Sequence, residues 1–337
     1  MVTIDDVARL AGLSKSTVSR VINNYPHVSP AKKQKVFQAM DALGYVPNSS
    51  ARSLRNKKTQ MIAVLVPRLM NPFFGQLVES MEVEATRNGF QLLICQTMYS
   101  KETELGHLEL LKMKQVDGMI LASMENEWET VSEYLPYGPL VMCNEFEDSA
   151  NIPIIKLDQI HGGYIATKHL LRQGHQRLAY CSGGHKSMVG QHRKFGFDKA
   201  LKEHGLTFEP RYGFFNAYSI EHGIEVFKQI HQMKDPPTAV FTGSDEVAAG
   251  IITGAKEYGV DVPGELSVIG FDNQVISKIM DPKISTVEQP IELMAQQSIQ
   301  VLIETIKSQD FPRRERYEFP LELIIRESTV SGPLRAV

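Results

Sequence analysis

After Gln60 the chain alternates between short apolar runs rich in β-branched residues and amphipathic stretches of helical length. The runs are Met61–Val66, Leu92–Ile94, Gly118–Leu121 and Leu140–Cys143, then Leu178–Cys181, Phe214–Phe215, Ala239–Phe241 and Leu266–Phe271. The stretches between most of them are 73–88, 101–114, 162–173, 189–204, 219–233 and 245–258. A strand apolar along its whole length needs cover on both faces, and parallel neighbours need a long crossover, usually a helix. The pattern therefore predicts parallel, doubly wound sheets. Two successive series predict two similar α/β lobes, a periplasmic-binding-protein-like body. Ligands of open α/β sheets bind beyond the carboxyl ends of the strands, so the cleft between the lobes is the expected site.

The first 45 residues obey a different period. Thr3 with Asp6 three residues later has the form of a capping box, opening a helix through Leu10. Ala11-Gly12-Leu13 is a tight turn, and Ser14 is placed to cap a second helix through Val21. A third follows Ser29-Pro30, with Val36, Phe37, Met40 and Leu43 as its inner face and Gly44 as its end. Val7, Ala8, Gly12, Val18 and Val21 have helix-turn-helix spacing: Ala8 permits close approach, Gly12 turns the chain, and Val18 locks the second helix on the first. Lys15, Ser16 and Ser19 then fall on the outer face of that helix, beside Thr17 and Arg20.

Residues 46–60 are polar and basic, too poor in apolar groups to fold alone, and read as a linker that orders on binding. Residues 1–60 carry ten Lys or Arg against Asp5, Asp6 and Asp41, a net of +7. The whole chain is at -3, so the remainder sums to -10. A basic head on an acidic body is the footprint of a polyanion binder.

Other classes fit poorly. No apolar run approaches the roughly 18 residues needed to span a bilayer, and the N-terminus lacks a signal-peptide core, so a cytoplasmic protein with no membrane partner is expected. Cys95, Cys143 and Cys181 are odd in number and lack CxxC spacing, which argues against a disulfide framework or zinc site. The sequence contains no Gly-rich phosphate loop, GxSxG or HExxH, so no enzyme, cofactor or metal is expected. A free-standing sugar-binding protein of the transport type would suit the body but not the basic head.

The segment TIDDVARLAGLSKSTVSRVINN, followed by HVSPAKKQKVFQAMDALGYVPNSSARSL, closely resembles the headpiece of the lactose-repressor (LacI/GalR) family. The resemblance continues through Asn71–Phe74, Val116–Leu121, His169–Tyr180, Arg193–Phe197, Val240–Gly250 and Glu265–Asn273. It implies a DNA-binding transcriptional regulator, foremost a repressor, with headpiece 1–45, hinge 46–60 and body 61–337. The N-terminal lobe would take about 61–159 and 290–317, and the C-terminal lobe about 160–289 and 318–330.

By this resemblance the second helix enters the major groove, where Lys15, Ser16 and Arg20 read base edges. Thr3, Thr17, Ser19, Asn23, His27 and Ser29 would hold phosphates or flanking bases. Asn48–Leu54 would become a hinge helix on DNA, with Ala51 and Arg52 at the hinge and Leu54 wedged into a minor-groove step. Paired hinges imply a homodimer on a palindromic operator. No leucine heptads follow the last body strand, although the resemblance leaves a tetramer open.

The resemblance also places an effector between the lobes, at Phe73, Phe74, Asn144, Arg193, Tyr218, Ser244, Asp245 and Asp272. Carboxylate, guanidinium and aromatic faces together suit a polyhydroxylated, carbohydrate-derived molecule. Many family members resembling this chain carry Asp where it has Asn144. His185, Lys186 and His192 near Arg193 point to a sugar acid or phosphate. Phe73 and Phe74 are equally readable as core, and Asp245 as a helix N-cap.

Overall fold

The computed structural model describes residues 2–23, 25–46, 58–184, 187–308 and 310–329. The hinge positions Asn48, Ala51, Arg52 and Leu54 lie outside the described residues, as do His185 and Lys186. The chain divides into two compact units, Met1–Thr59 and Gln60–Val337.

Three helices make the first unit: α1 (Ile4–Ala11), α2 (Lys15–Ile22) and α3 (Pro30–Leu43). The capping box forms, with Thr3 Oγ1 accepting from the Asp6 N–H and Asp6 Oδ2 accepting from the Thr3 N–H at 3.0 Å. Gly12 ends α1 in the left-handed region at φ 64°, where a side chain would be strained. Ser14 caps α2, whereas Ser29 precedes Pro30 without a side-chain cap bond. The core is Val7, Ala8, Ala11, Val18, Val21, Val36 and Ala39, all small, so the helices approach closely. Phe37, expected inside, is 49% exposed. The buried face of α3 is centred on Val36, Ala39, Met40 and Leu43, and Phe37 lies about 100° around the helix from Val36.

The second unit holds two parallel sheets. In the first, β1 (Met61–Val66), β2 (Gln91–Gln96), β3 (Met119–Leu121), β4 (Leu140–Cys143), β5 (Ile154–Leu157) and β11 (Arg316–Phe319) lie in the order β11-β5-β4-β3-β1-β2. In the second, β6 (Leu178–Cys181), β7 (Gly213–Phe214), β8 (Ala239–Thr242) and β9 (Ser267–Ile269) lie in the order β7-β6-β8-β9. A two-stranded antiparallel ribbon, β10 (Thr286–Glu288) with β12 (Glu322–Ile324), accompanies the second sheet. The expected strand through Phe271 stops at Ile269, and that through Phe215 stops at Phe214. The strands β5, β10, β11 and β12 were not anticipated.

Helices α4 (Pro72–Arg87), α5 (Lys101–Lys112) and α6 (Trp128–Ser132) belong to the first lobe, and α12 (Ile291–Ser308) returns to pack on α4 and β4. The second lobe carries α7 (Gln159–Arg172), α8 (Met188–Glu203), α9 (Ile220–His231), α10 (Asp245–Glu257) and α11 (Val275–Ile279). The chain thus passes between lobes three times: after Leu157, between Glu288 and Ile291, and between Phe319 and Glu322. Glycines set the closest packing. A Cβ on Gly163 would lie 2.1 Å from the Arg193 carbonyl oxygen, and one on Gly196 2.0 Å from that of Ile160. Only glycine at both positions lets α7 and α8 meet so closely, and that contact fixes Arg193. Among the described residues no helix is long and apolar enough to cross a membrane.

Candidate functional site

On α2 the outward residues are short and polar. Lys15, Ser16 and Arg20 are exposed, with Thr17 and Ser19 half-buried. Lys15 Nζ pairs with Asp5 Oδ2 at 2.8 Å, an exposed bridge that solvent screens. The hydroxyls of Ser16 and Thr17 both meet Ser14 Oγ, at 2.9 and 2.8 Å. Asn23 closes α2 by donating Nδ2 to the Ser19 carbonyl oxygen at 2.6 Å. Thr3, His27 and Ser29 are exposed. Apart from Asp5, Asp6 and Asp41, the charged groups described in this unit are basic.

In the second unit the body candidates lie just beyond the carboxyl ends of strands, where an open α/β sheet offers unpaired backbone and loops. Phe73 and Phe74 open α4 after β1, edge to face at 5.1 Å, and both are buried in the core cluster spanning the two lobes. Asn144 follows β4, buried and left-handed at φ 76°. Ser244 is the N-cap of α10, accepting from the Val247 N–H, so the cap is not Asp245. Arg193 lies in the second turn of α8, rather than at its start. Tyr218 lies against Gly183 and is 57% exposed.

Arg193 is only 8% exposed. Its Nε donates to Gln159 Oε1 at 2.7 Å, its Nη1 to the Gly243 carbonyl oxygen at 2.9 Å, and its guanidinium stacks 3.5 Å from the Phe271 ring centre. Two of five N–H donors are thereby used in these bonds. Asp272 stands at φ 102°, strained for a residue with a side chain, and accepts from Gln289 Nε2 and, at 3.0 Å, Gln274 Nε2. Burial pushes its carboxyl up to about 6, with Arg193 pulling the other way. Asp245 is pushed up to about 8, first by burial and then by the Asp272 carboxylate. Its Oδ2 accepts from the Gln274 N–H at 2.7 Å, a hydrogen bond from the Thr286 side chain pulls its proton affinity the other way, and its buried Oδ1 meets no close hydrogen-bond donor among the described residues. Arg193 and Asp272 both stand on the second lobe, on one side of the cleft.

Four residues of this centre escaped the sequence reading. Gln159 and Gln289 sit at two of the three lobe crossings and hydrogen bond each other at 3.3 Å, linking Arg193 to Asp272. Gln274 supports Asp272 from the loop after β9. Glu145, beside Asn144, accepts from Ser187 Oγ of the other lobe at 3.3 Å and from the Met124 N–H at 3.4 Å. Burial pushes Glu145 up to about 7. No local signal marked the first two, because the short strands they follow, β5 and β10, were themselves not anticipated. A cavity of about 510 Å³ also exists in the second lobe, but most of its α8 residues, Gln191, Lys194, Phe195 and Asp198, are around the helix from Arg193. It contains none of the candidate residues.

A helix-turn-helix with a polar outward face, together with a two-lobed body holding a buried polar centre at its strand ends, defines a ligand-responsive DNA-binding regulator. A profile of bacterial regulatory proteins, lacI family, matches residues 3–48, and one of periplasmic binding protein-like domains matches 167–329. The NTD biosynthesis operon regulator NtdR of Bacillus subtilis (strain 168) is 43% identical, over 98% of this chain and 100% of its own. The lac repressor dimer bound to operator and the anti-inducer ONPF superposes with a TM-score of 0.88 at 27% identity, over 98% and 99% of the two chains. A LacI family regulator from Lactobacillus casei with bound sucrose gives 0.73 at 32%, over 80% and 99%. The chain belongs to the LacI family of transcriptional regulators. It is a DNA-binding regulator with an effector-binding body, and its relatives are regulators rather than enzymes.

Proposed function

We propose that this chain is a homodimeric repressor of a palindromic operator, controlled by a carbohydrate-derived effector held between its lobes. The carrying observation is the buried Arg193–Asp272 centre, with Phe271 under the guanidinium and glutamines at the crossings around it. Free guanidinium donors, a carboxylate and buried amides match the alternating donors and acceptors of adjacent hydroxyls. Phe73, Phe74, Asn144, Tyr218, Ser244 and Asp245 complete the wall. The relatives support the class: one is bound to operator, another to sucrose.

On DNA, Lys15, Ser16 and Arg20 read bases, while Thr3, Thr17, Ser19, Asn23, His27 and Ser29 hold the backbone. Asn48, Ala51, Arg52 and Leu54 form the hinge, with Leu54 as the wedge. Leu54→Ala should weaken specific operator binding by about 1–3 kcal/mol and random DNA little. Equal losses on both would remove the wedge. The test of the whole reading is operator affinity and melting of the full chain against a sugar panel. A sugar that raises the melting temperature and shifts operator affinity supports it, because a ligand stabilises only the state it binds. Sugars without effect on either would overturn it.

A further inference from the structure

The cavity of the second lobe encloses about 510 Å³, within the range of small-molecule pockets, roughly 300–1,000 Å³. Three stretches of chain make its wall: the end of β6, one stripe of α8, and the segment from Phe208 to Phe215. On α8 the stripe is Gln191, Lys194, Phe195 and Asp198, at helical spacing. The residues that anchor this helix in the lobe, Gly196, Phe197, Ala200 and Leu201, lie on another face. Phe195 is therefore not used by the core. It is 61% exposed and borders the cavity.

Three further rings line the chamber, and each is fixed by packing. Tyr180 is buried and donates its hydroxyl to the Gly190 carbonyl oxygen at 3.0 Å, which holds the ring against the first turn of α8. Phe208 stands edge to face with Phe197 at 5.6 Å, and Phe215 lies 6.5 Å from Tyr180. Gly213 makes room for both phenylalanines. A Cβ there would lie 2.9 Å from the Phe215 ring and 3.3 Å from that of Phe208. Lys194 Nζ stands 4.0 Å from the Phe208 ring centre and is bonded to both Asp198 oxygens, at 2.5 and 2.7 Å. These two charges of the wall thus satisfy each other. A chamber walled by rings holds water poorly, whereas a flat π face gains offset and edge-to-face contacts beyond its buried area. Because the walls are already in place, binding costs little ordering.

We propose that this cavity is a second ligand site, separate from the cleft, for a flat aromatic molecule of about two fused rings. Its faces pack on Phe195, Phe208 and Phe215, with Tyr180 behind them. The site does not depend on the effector reading above. It does share a helix with it: Arg193 is carried by α8, so occupants of the two sites bear on one element from different sides.

The test is calorimetric titration of the full chain at pH 7 with 2-naphthol and with 2-decalol, the same skeleton without the flat π system. 2-Naphthol is expected to bind with a dissociation constant of about 100 μM or tighter, and 2-decalol about fivefold or more weakly. Phe195→Ala and Phe208→Leu should each weaken 2-naphthol by about fivefold or more. Phe195 is exposed, so its variant should melt as the wild type does; if Phe208→Leu does not fold, Phe195→Ala decides. No binding of 2-naphthol, equal binding of 2-decalol, or unchanged affinity in a folded Phe195→Ala overturns the inference. Binding that Arg193→Ala abolishes and Phe195→Ala leaves intact would put the ring in the cleft, and the second site falls.

Discussion

The headpiece and the body place their working groups in opposite ways. In the headpiece the fold is held by seven small apolar side chains, while Lys15, Ser16 and Arg20 stand outside that core. In the body Arg193, Asp245 and Asp272 are themselves buried among the groups that hold the second lobe together. Function and stability are separable in the first unit and entangled in the second. The physical reason lies in the partners: DNA is met on a surface, whereas a small ligand must be surrounded.

The largest effect should come from breaking the headpiece core rather than its surface. Val18→Asp buries an unpaired carboxylate in a core with few large side chains, at a cost of about 3–5 kcal/mol. Operator binding should vanish while any sugar-induced rise in melting of the body persists. An anisotropy titration showing normal operator affinity would mean that the helix pair does not depend on Val18.

Asp272→Ala tests the entanglement directly. It removes the acceptor of Gln274 and Gln289 and the carboxylate whose charge acts on buried Arg193, so the body should lose about 1–3 kcal/mol together with its effector response. Ser16→Ala, by contrast, should change headpiece stability by no more than about 0.5 kcal/mol while altering operator preference. Denaturant melts of the two variants give the comparison. Similar stability losses would erase the distinction between the units.

The glutamines should matter less for stability and more for communication. Gln159→Leu or Gln289→Leu removes one partner from a buried chain of amides, a loss of about 1–3 kcal/mol. Both residues sit where the chain crosses between lobes, so these variants should bind sugar more weakly and respond less at the operator. A variant that melts lower yet keeps the full operator response would make the glutamines structural only.

What was legible in the sequence follows the same division. Caps at Thr3 and Ser14, the Gly12 turn and the small core are local signals, and the structure contains them. Phe37 misled because apolar character alone does not say which side of α3 it occupies. The alternating runs announced both parallel sheets, yet β5, β10, β11 and β12 are only three or four residues long and too brief for periodicity. Gln159 and Gln289 meet across 130 positions, and no local pattern encodes such a pairing. The burial of Arg193 and Asp272 was equally invisible. Their burial ties any substitution there to the stability of the body.

The smallest effect is a difference in sign with pH. In the body, Asp245 has its proton affinity raised, by burial first and by Asp272 next, to about 8. The folded state then binds that proton more tightly than the unfolded chain, so its contribution is fully present below the ordinary carboxylate range and is lost as pH rises through about 8. In the headpiece, Asp6 is shifted the other way, lowered by its side-chain and backbone hydrogen bonds with Thr3. Its contribution is present above the ordinary carboxylate value and is lost as pH falls through the lowered one, and exposure keeps it small. Raising pH from 6 to 8.5 should therefore lower the melting temperature of the body. Asp245→Asn, a neutral mimic of the protonated acid, should flatten that fall. Acidification toward pH 3 should weaken the headpiece, and Thr3→Ala should reduce that acid sensitivity. Calorimetry of the full chain across this range measures both slopes. A body whose melting temperature falls with pH as steeply in Asp245→Asn as in the wild type would show that the titration of Asp245 does not set this slope.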